Sequence, residues 1–523
     1  MSQHSGWSEV RSKMTQDTPS IASVMSGGGR PPNSEREIKI IDTTLRDGHQ
    51  SLWATRMRTE HIVDLAAEFD AAGYEHVDLM APIQFDVAVR YLQEDPWERV
   101  RKAHELAPNT KFRALIRSKN IAAFDFLPDD VITAWVERLY ANGFRVIGSF
   151  DGLNDVDNIA PGLRRAKELG AETFGAVSFS ESPVHTDELF VSKAQELIEK
   201  ADVDRIMLKD AGGLLTPERI RSLVPALKAV MGERPLEVHT HSLTGLAPLV
   251  CLEAAEAGAD SLHLSVAPLA AGNGQPSVQN VTRDLRALGY RVNVDDAAVS
   301  RISDTLRSIA EAEGKPVGEP VEYNGMHFMH QTPGGMLSNF RSQLATAGLE
   351  DRYEELLIEI ARVRAELAYP IMITPFAQFV GTQAAMNVAS GERYKMVPNE
   401  IKKYALGYYG KLLTDIDPEI HRKIVENGAS DIPLEPSEPQ PMLDAIAGRF
   451  PEESTDLHLL RAMFAGSQVD DMKAAVAEGR SGEQAPMPLL DLVETLNESA
   501  KPGVNRLAAG DLKITILKGE NHA

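Results

Sequence analysis

From Ile38 onward the chain keeps one rhythm for about 230 residues. A short apolar stretch rich in β-branched residues is followed by helical periodicity, and then the pattern repeats. The apolar stretches are 38–47 (IKIIDTTLRD), 76–81 (HVDLMA), 111–117 (KFRALIR), 145–151 (RVIGSFD), 172–180 (ETFGAVSFS), 204–210 (DRIMLKD), 236–242 (LEVHTHS) and 261–267 (SLHLSVA). Between them helix signals recur. Ile62, Leu65, Ala66 and Phe69 fall at i, i+3, i+4 and i+7, with Gly73 as a stop. Thr216-Pro217 is a good N-cap and first-turn pair, followed by Ile220, Leu223, Val224 and Leu227 on one face. Eight strand–helix units in this length predict the α/β class and a (β/α)8 TIM barrel over 38–300. A doubly wound open sheet is the alternative, but no Gly-rich dinucleotide loop follows the first strand.

The rest of the chain reads differently. Residues 1–37 are rich in Ser, Gly and Pro and read as a flexible leader with no signal-peptide core. Residues 301–430 are mainly helical, for example LEDRYEELLIEIARVRAELAY, and form a helical C-terminal funnel. Residues 431–523 open with a Pro-rich linker (IPLEPSEPQP) and continue as a small helical appendage ending in a strand, DLKITILK. With 54 Lys and Arg against 76 Asp and Glu, the net charge is −22. Sequence-independent binding to nucleic acid or to an anionic membrane is excluded, because either polyanion would be repelled. No apolar run reaches the length of a membrane span. The single cysteine, Cys251, rules out an internal disulfide and a Cys-based zinc site, and suits a reducing cytoplasm.

In a (β/α)8 barrel the reactive residues stand at the C-terminal ends of the strands. Those ends carry Arg46-Asp47 with Gln50 just beyond, then Arg117, Asp151, Lys209-Asp210, and His239 with His241. Charges are costly in a core unless paired or metal-bound, so this clustering is informative. His239 and His241 are two apart on a strand and share a face. Two imidazoles plus a carboxylate from Asp47 make a workable divalent-metal site. The plainer alternative is a pair of hydrogen-bonded core histidines. An ammonium on Lys209 would repel the cation unless the lysine is deprotonated or carboxylated; the alternative is an ion pair with Asp210 or Asp151. Arg46 and Arg117 suit bidentate capture of a carboxylate, or else structural pairing with Asp residues. Gln50 can polarise a carbonyl oxygen.

At the level of motifs the chain resembles a known family. DTTLRDGHQSLWATRMRT, FDVAVRYLQEDPWERVRKAHELAPN, LIRSKN, FDGLND, KDAGGLL, HTHSLTG, PGGMLSN and TPFAQFVGTQAAMNVASGERYK are similar to the carboxyltransferase module of biotin-dependent 2-oxo-acid enzymes. That group includes pyruvate carboxylase, the oxaloacetate decarboxylase α subunit and the transcarboxylase 5S subunit. The resemblance runs from about Ile38 to Gly410. It implies an enzyme that moves carboxylate between biotin and a small 2-oxo acid, pyruvate/oxaloacetate by default, through an enolate. A zinc, manganese or cobalt ion would be held by Asp47, His239, His241 and a carboxylated Lys209. Arg46, Gln50 and Arg117 would grip the oxo acid, with Arg46 and Lys209 taking part in catalysis. Thr374 would relay a proton between biotin and the substrate carbon, although Thr-Pro is also simply a helix start.

Three departures from the family pattern stand out. Met80-Ala81-Pro82-Ile83-Gln84 replaces a Trp-Gly-Gly-Ala-Thr stretch, which alters the expected substrate pocket. Phe376, Ala377 and Gln378 follow Thr-Pro in place of small polar or Ser-Lys residues, leaving Gln378 as a weak biotin contact. Residues 268–277 (PLAAGNGQPS) replace a Ser/Met/Thr-rich run, and their Asn273 supports a rival. Hydroxymethylglutaryl-CoA lyase and isopropylmalate synthase share the Asp-Thr-Thr-Leu-Arg-Asp-Gly and His-x-His motifs and use such an Asn as a metal ligand. A biotin-independent lyase, aldolase or decarboxylase is therefore the second reading, and a non-catalytic scaffold subunit of a biotin complex the third. No Met-Lys-Met biotin-attachment turn is present; Tyr394-Lys395-Met396 lacks the first Met. Biotin is expected on a separate carrier protein, charged by a separate biotin carboxylase subunit, within a homodimer or larger complex.

Overall fold

The apolar stretches pair in chain order and close on themselves. The computed structural model describes residues 36–123, 125–333, 336, 350–464, 466–480, 503–509 and 512–518. The barrel strands are β1 (Lys39–Asp42), β2 (His76–Met80), β3 (Phe112–Arg117), β4 (Val146–Phe150), β5 (Glu172–Ser178), β6 (Arg205–Asp210), β7 (Leu236–Thr240) and β8 (Ser261–Leu264). All neighbours run parallel, and β8 returns to β1 from Lys39 opposite Ser261 to Asp42 opposite Leu264. The predicted (β/α)8 barrel is the observed fold.

β1 ends five residues earlier than its apolar run suggested. At Asp42 the carboxylate turns back on its own chain. It accepts from the Thr44 backbone N–H at 2.8 Å and from the Thr44 hydroxyl at 2.9 Å. The Thr43 carbonyl then accepts from the amides of both Asp47 (2.8 Å) and Gly48 (2.9 Å), a wide turn across Thr44–Gly48. Short polar side chains that bond the local backbone compete with the strand ladder, and here they win. The helices begin and stop as their signals indicate. Thr216 accepts from the Arg219 amide to cap helix Pro217–Met231, and Gly73, just beyond helix Thr59–Ala71, has a φ of +77°.

Side chains alternate across each strand. Outward-facing Ile206, Leu208, Val238 and Leu262 are fully buried under the helices, each contributing about 1.5–3 kcal/mol by burial. The barrel interior is split. Leu115, Phe174, Ala176 and Met207 form a small apolar cluster on one side. Charged residues of β2, β3 and β7 fill the other side, where Arg113 lies between Asp78 (3.3 Å) and Glu237 (2.9 Å).

A second hydrophobic core, formed by residues such as Leu356, Ile360, Val363, Phe376, Val380 and Tyr404, belongs to helices Tyr353–Glu366, Phe376–Ser390 and Asn399–Ala405. The β4 loop joins it to the barrel mouth: Leu153 enters this core, and a Cβ on Gly152 would come within 2.3 Å of the Phe376 ring. Arg364 reaches back to the Ser180 hydroxyl (2.9 Å) and the Glu181 carbonyl (3.1 Å).

Beyond the Pro-rich stretch the chain returns to the barrel. Leu459, Leu460, Phe464 and Val469, on or beside helices Thr455–Met463 and Gln468–Ala477, pack into the same core as Val100 and Trp135. Strands Gly503–Ala509 and Leu512–Lys518 form an antiparallel pair. The leader as far as residue 35 and most of the PGGMLSN motif lie outside the described residues. No helix among the described residues is long and apolar enough to cross a membrane.

Candidate active site at the barrel mouth

The wide turn after β1 carries Asp47 over the barrel axis, while β7 projects His239 and His241 toward the same point. Asp47 Oδ2 lies 3.2 Å from His239 Nε2 and 3.4 Å from His241 Nε2. Asp47, His239 and His241 are the one group of this kind among the described residues, and all three are buried. The donor chemistry fits a divalent ion. His241 Nδ1 is 2.6 Å from the Asn273 carbonyl, which can only accept, so its Nε2 keeps a lone pair facing Asp47. Burial alone would raise the Asp47 carboxyl, but the charge of Arg46 beside it acts to hold it well below the usual carboxylate range. Burial and the neighbouring Lys209 keep His239 well below the usual imidazole range, so it is neutral. A carboxylate and two imidazoles suit zinc, manganese and cobalt alike.

Lys209, from the end of β6, places its Nζ 3.3 Å from His239 Nε2. Neither anticipated partner meets it. Asp210 accepts from the amides of Leu214 and Leu215 and from the Thr240 hydroxyl, and Asp151 accepts from Ser118 and from the Leu153 and Asp155 amides. Burial, reinforced by Arg46, pushes the Lys209 ammonium down to about 8.

The two arginines differ. Arg46 is ion-paired to Asp47 (2.9 Å) and Asp78 (2.8 Å), the structural pairing that the sequence left open. Arg117 has no carboxylate within ion-pair distance among the described residues. Its NH2 donates to the Ala123 carbonyl at 2.6 Å, its Nε has no partner among the described residues, and burial lowers its pKa to about 10. A buried, unneutralised guanidinium is a strong site for an anion.

Asp47, His241, Lys209, Arg46, Arg117 and Gln50 all face one cavity of about 320 Å³. Thr374 and Gln378 also line it, and the buried Gln378 Oε1 has no partner among the described residues. Thr374 is exposed and stands two residues before helix Phe376–Ser390, for which Pro375 is the cap. The departures at Ala81, Pro82 and Ile83 line the same cavity and make its wall apolar beside Arg117. Asn273 also lines it, and its backbone carbonyl is what orients His241.

Gln275 was not foreseen. Its Nε2 sits 3.0 Å from Asp47 Oδ2, 3.4 Å from His239 Nε2 and 3.0 Å from His241 Nε2. Its Oε1 accepts from the Thr43 and Ser265 hydroxyls. The amide therefore holds the donor cluster together from the β8 side. It lies in a loop without periodicity, so nothing in the local sequence marks its direction.

Comparison with known proteins points the same way. Residues 328–478 match the family model of a conserved carboxylase domain, and residues 154–306 match an HMGL-like model. A pyruvate carboxylase subunit of Methanocaldococcus jannaschii is 39% identical over 404 residues, covering 77% of this chain and 70% of that protein. The methylmalonyl-CoA carboxyltransferase 5S subunit of Propionibacterium freudenreichii subsp. shermanii is 36% identical over 442 residues, covering 84% and 86%. The carboxyl transferase domain of Rhizobium etli pyruvate carboxylase, solved as a variant with pyruvate, superposes with a TM-score of 0.78 at 25% identity, covering 92% of this chain and 84% of that one.

Proposed function

The chain belongs to the family of biotin-dependent carboxyltransferase subunits, and on that premise we propose that it moves a carboxyl group between biotin on a partner chain and a small 2-oxo acid of the pyruvate/oxaloacetate type. The observation that carries this reading is the single cavity in which Arg117, with no carboxylate partner among the described residues, Lys209 and the Asp47–His241 donors face Thr374. Arg117 takes the substrate carboxylate, and Gln50 and Arg46 lie alongside to meet the keto oxygen. Asp47, His239, His241 and a carboxylated Lys209 would hold a divalent ion, which would supply Lewis acidity where enolate charge develops. Lys209 fits carboxylation because a pKa of about 8 leaves part of the amine neutral near physiological pH. The neutral nitrogen attacks CO2, a C–N bond forms as one C=O π bond opens onto its oxygen to leave a carbamate anion, and the displaced proton leaves to solvent. Thr374 Oγ passes one proton between the biotin ring nitrogen and the substrate's methyl carbon, and Gln378 contacts biotin from the same rim.

Biotin comes from a separate carrier and is charged by a separate carboxylase subunit, in keeping with relatives that are themselves named as subunits. We place this assembly in the cytoplasm, as a homodimer or larger complex. The same reading divides the chain into a leader (1–37), barrel (38–300), helical funnel (301–430) and C-terminal segment (431–523). Its support is the separate core of the funnel helices.

The test is oxaloacetate turnover with free biotin. Thr374→Ala is expected to lower the biotin-dependent rate on the order of 10²–10⁴-fold, with Lys209→Ala at least as damaging. Full activity in both variants would overturn the mechanism.

A further inference from the structure

One layer below the donor cluster, inside the barrel, stands His263 of β8, fully buried and away from the cavity. Its Nδ1 lies 3.2 Å from His239 Nδ1, and its Nε2 lies 3.0 Å from Glu237 Oε2. Glu237 precedes His239 by two residues on β7, so it faces the same interior one step lower. A carboxylate oxygen can only accept, so His263 Nε2 carries the hydrogen. In the neutral ring Nδ1 then holds the lone pair. His239 Nδ1 must be the donor to it, and His239 Nε2 is left with its lone pair aimed at Asp47. Arg113 NH1, 3.5 Å from His263 Nε2, does not change this, because the nearer carboxylate takes that hydrogen.

We infer that His263, held by Glu237, is a positioning residue for the metal site: it fixes His239 in the tautomer whose Nε2 can ligate. The inference rests on the metal-binding reading above. The contact is one link in a closed ring of buried side chains. From Asp47 the ring passes to Arg46 (2.9 Å), Asp78 (2.8 Å), Arg113 (3.3 Å) and Glu237 (2.9 Å). It then returns through His263 to His239, whose Nε2 faces Asp47 at 3.2 Å. Two of the three proposed ligands, from opposite ends of the barrel sequence, are thus braced by one frame of ion pairs and hydrogen bonds. Outer partners that orient a ligating imidazole typically change metal affinity about 10- to 100-fold when lost.

The test is zinc affinity of the metal-free full chain, by competition with a chromophoric chelator, supported by the visible spectrum of the cobalt form. His263→Leu removes both bonds. In His263→Asn the amide oxygen can stand where Nδ1 stands and accept from His239. In His263→Gln the amide reaches the Nε2 position and meets Glu237 only. Leu and Gln are expected to weaken zinc about 10- to 100-fold, and Asn to stay within a few-fold of wild type with an unchanged cobalt spectrum. If the Leu variant fails to fold, the contrast between Asn and Gln decides. Equal binding by all four proteins, or an Asn variant as weak as Gln, would overturn the inference while leaving the metal reading intact. A wild-type chain that binds no zinc would remove both.

Discussion

Arg46 and Arg117 bring the same charge to the same cavity and do different work, because their neighbours differ. Arg46 is committed to Asp47 and Asp78, so it sets the position of a proposed metal ligand. Arg117 has no carboxylate partner among the described residues and is the proposed seat of the substrate's. Arg117→Lys, which keeps the charge but loses the planar fork, should raise KM for the oxo acid about 10- to 100-fold with zinc affinity unchanged. Arg46→Lys should weaken both, and paired kinetic and metal-binding measurements separate the two cases. Lys209 makes a pH prediction. Its folded-state pKa is depressed to about 8, so the ammonium is favoured below that value and the free amine above it. In protein equilibrated with 13C-bicarbonate, a carbamate carbon resonance should grow as pH rises through about 8 and be absent in Lys209→Gln.

Elements here are fixed by a few polar contacts as much as by their apolar faces. Asp42 and Thr44 end β1 and shape the turn that delivers Asp47, a local competition that an apolar run cannot reveal. At the far end of the chain, Asp456 clamps helix Thr455–Met463 to the barrel wall. Its carboxylate accepts from Arg138 (2.7 Å), Asn142 (3.2 Å) and Arg101 (3.3 Å), and its carbonyl accepts from the Trp97 indole (3.2 Å). Asp456→Ala should cost about 1–3 kcal/mol in urea unfolding, the lower part of the buried range because both arginines are partly exposed. Glu453, bonded to Arg461 at 2.6 and 2.8 Å and also paired with Lys473, is held down to about 2. A depressed carboxyl stabilises the fold fully above its unfolded value of 4.5, and that contribution disappears as pH falls toward 2. Glu453→Gln should flatten this acid limb of stability measured against pH.

For the whole molecule, the proposed ligands come from the turn after β1, from β6 and from the end of β7, so a bound ion ties distant stretches of the closed barrel together. Anything that binds only the folded state stabilises it by mass action, about 2.7 kcal/mol at a hundredfold excess over Kd. Zinc should therefore raise Tm by a few degrees and chelation should lower it, an effect lost in His241→Ala. The barrel itself was legible in the sequence, since strand and helix periods alternate and each period dictates which face must be buried. So were Asp47, Lys209, His239 and His241, because charge at the end of an apolar strand is anomalous wherever the strand goes. The sequence could not say that Arg46 would be spent on two carboxylates while Arg117 met none among the described residues. Nor could it say that Gln275 would enter the donor cluster, that His263 would meet His239, or that helices beyond the Pro-rich stretch would fold back onto the barrel. Period and composition record what each segment buries. The partner a polar side chain finds across the barrel depends on strand register and loop path, which exist only once the chain has closed.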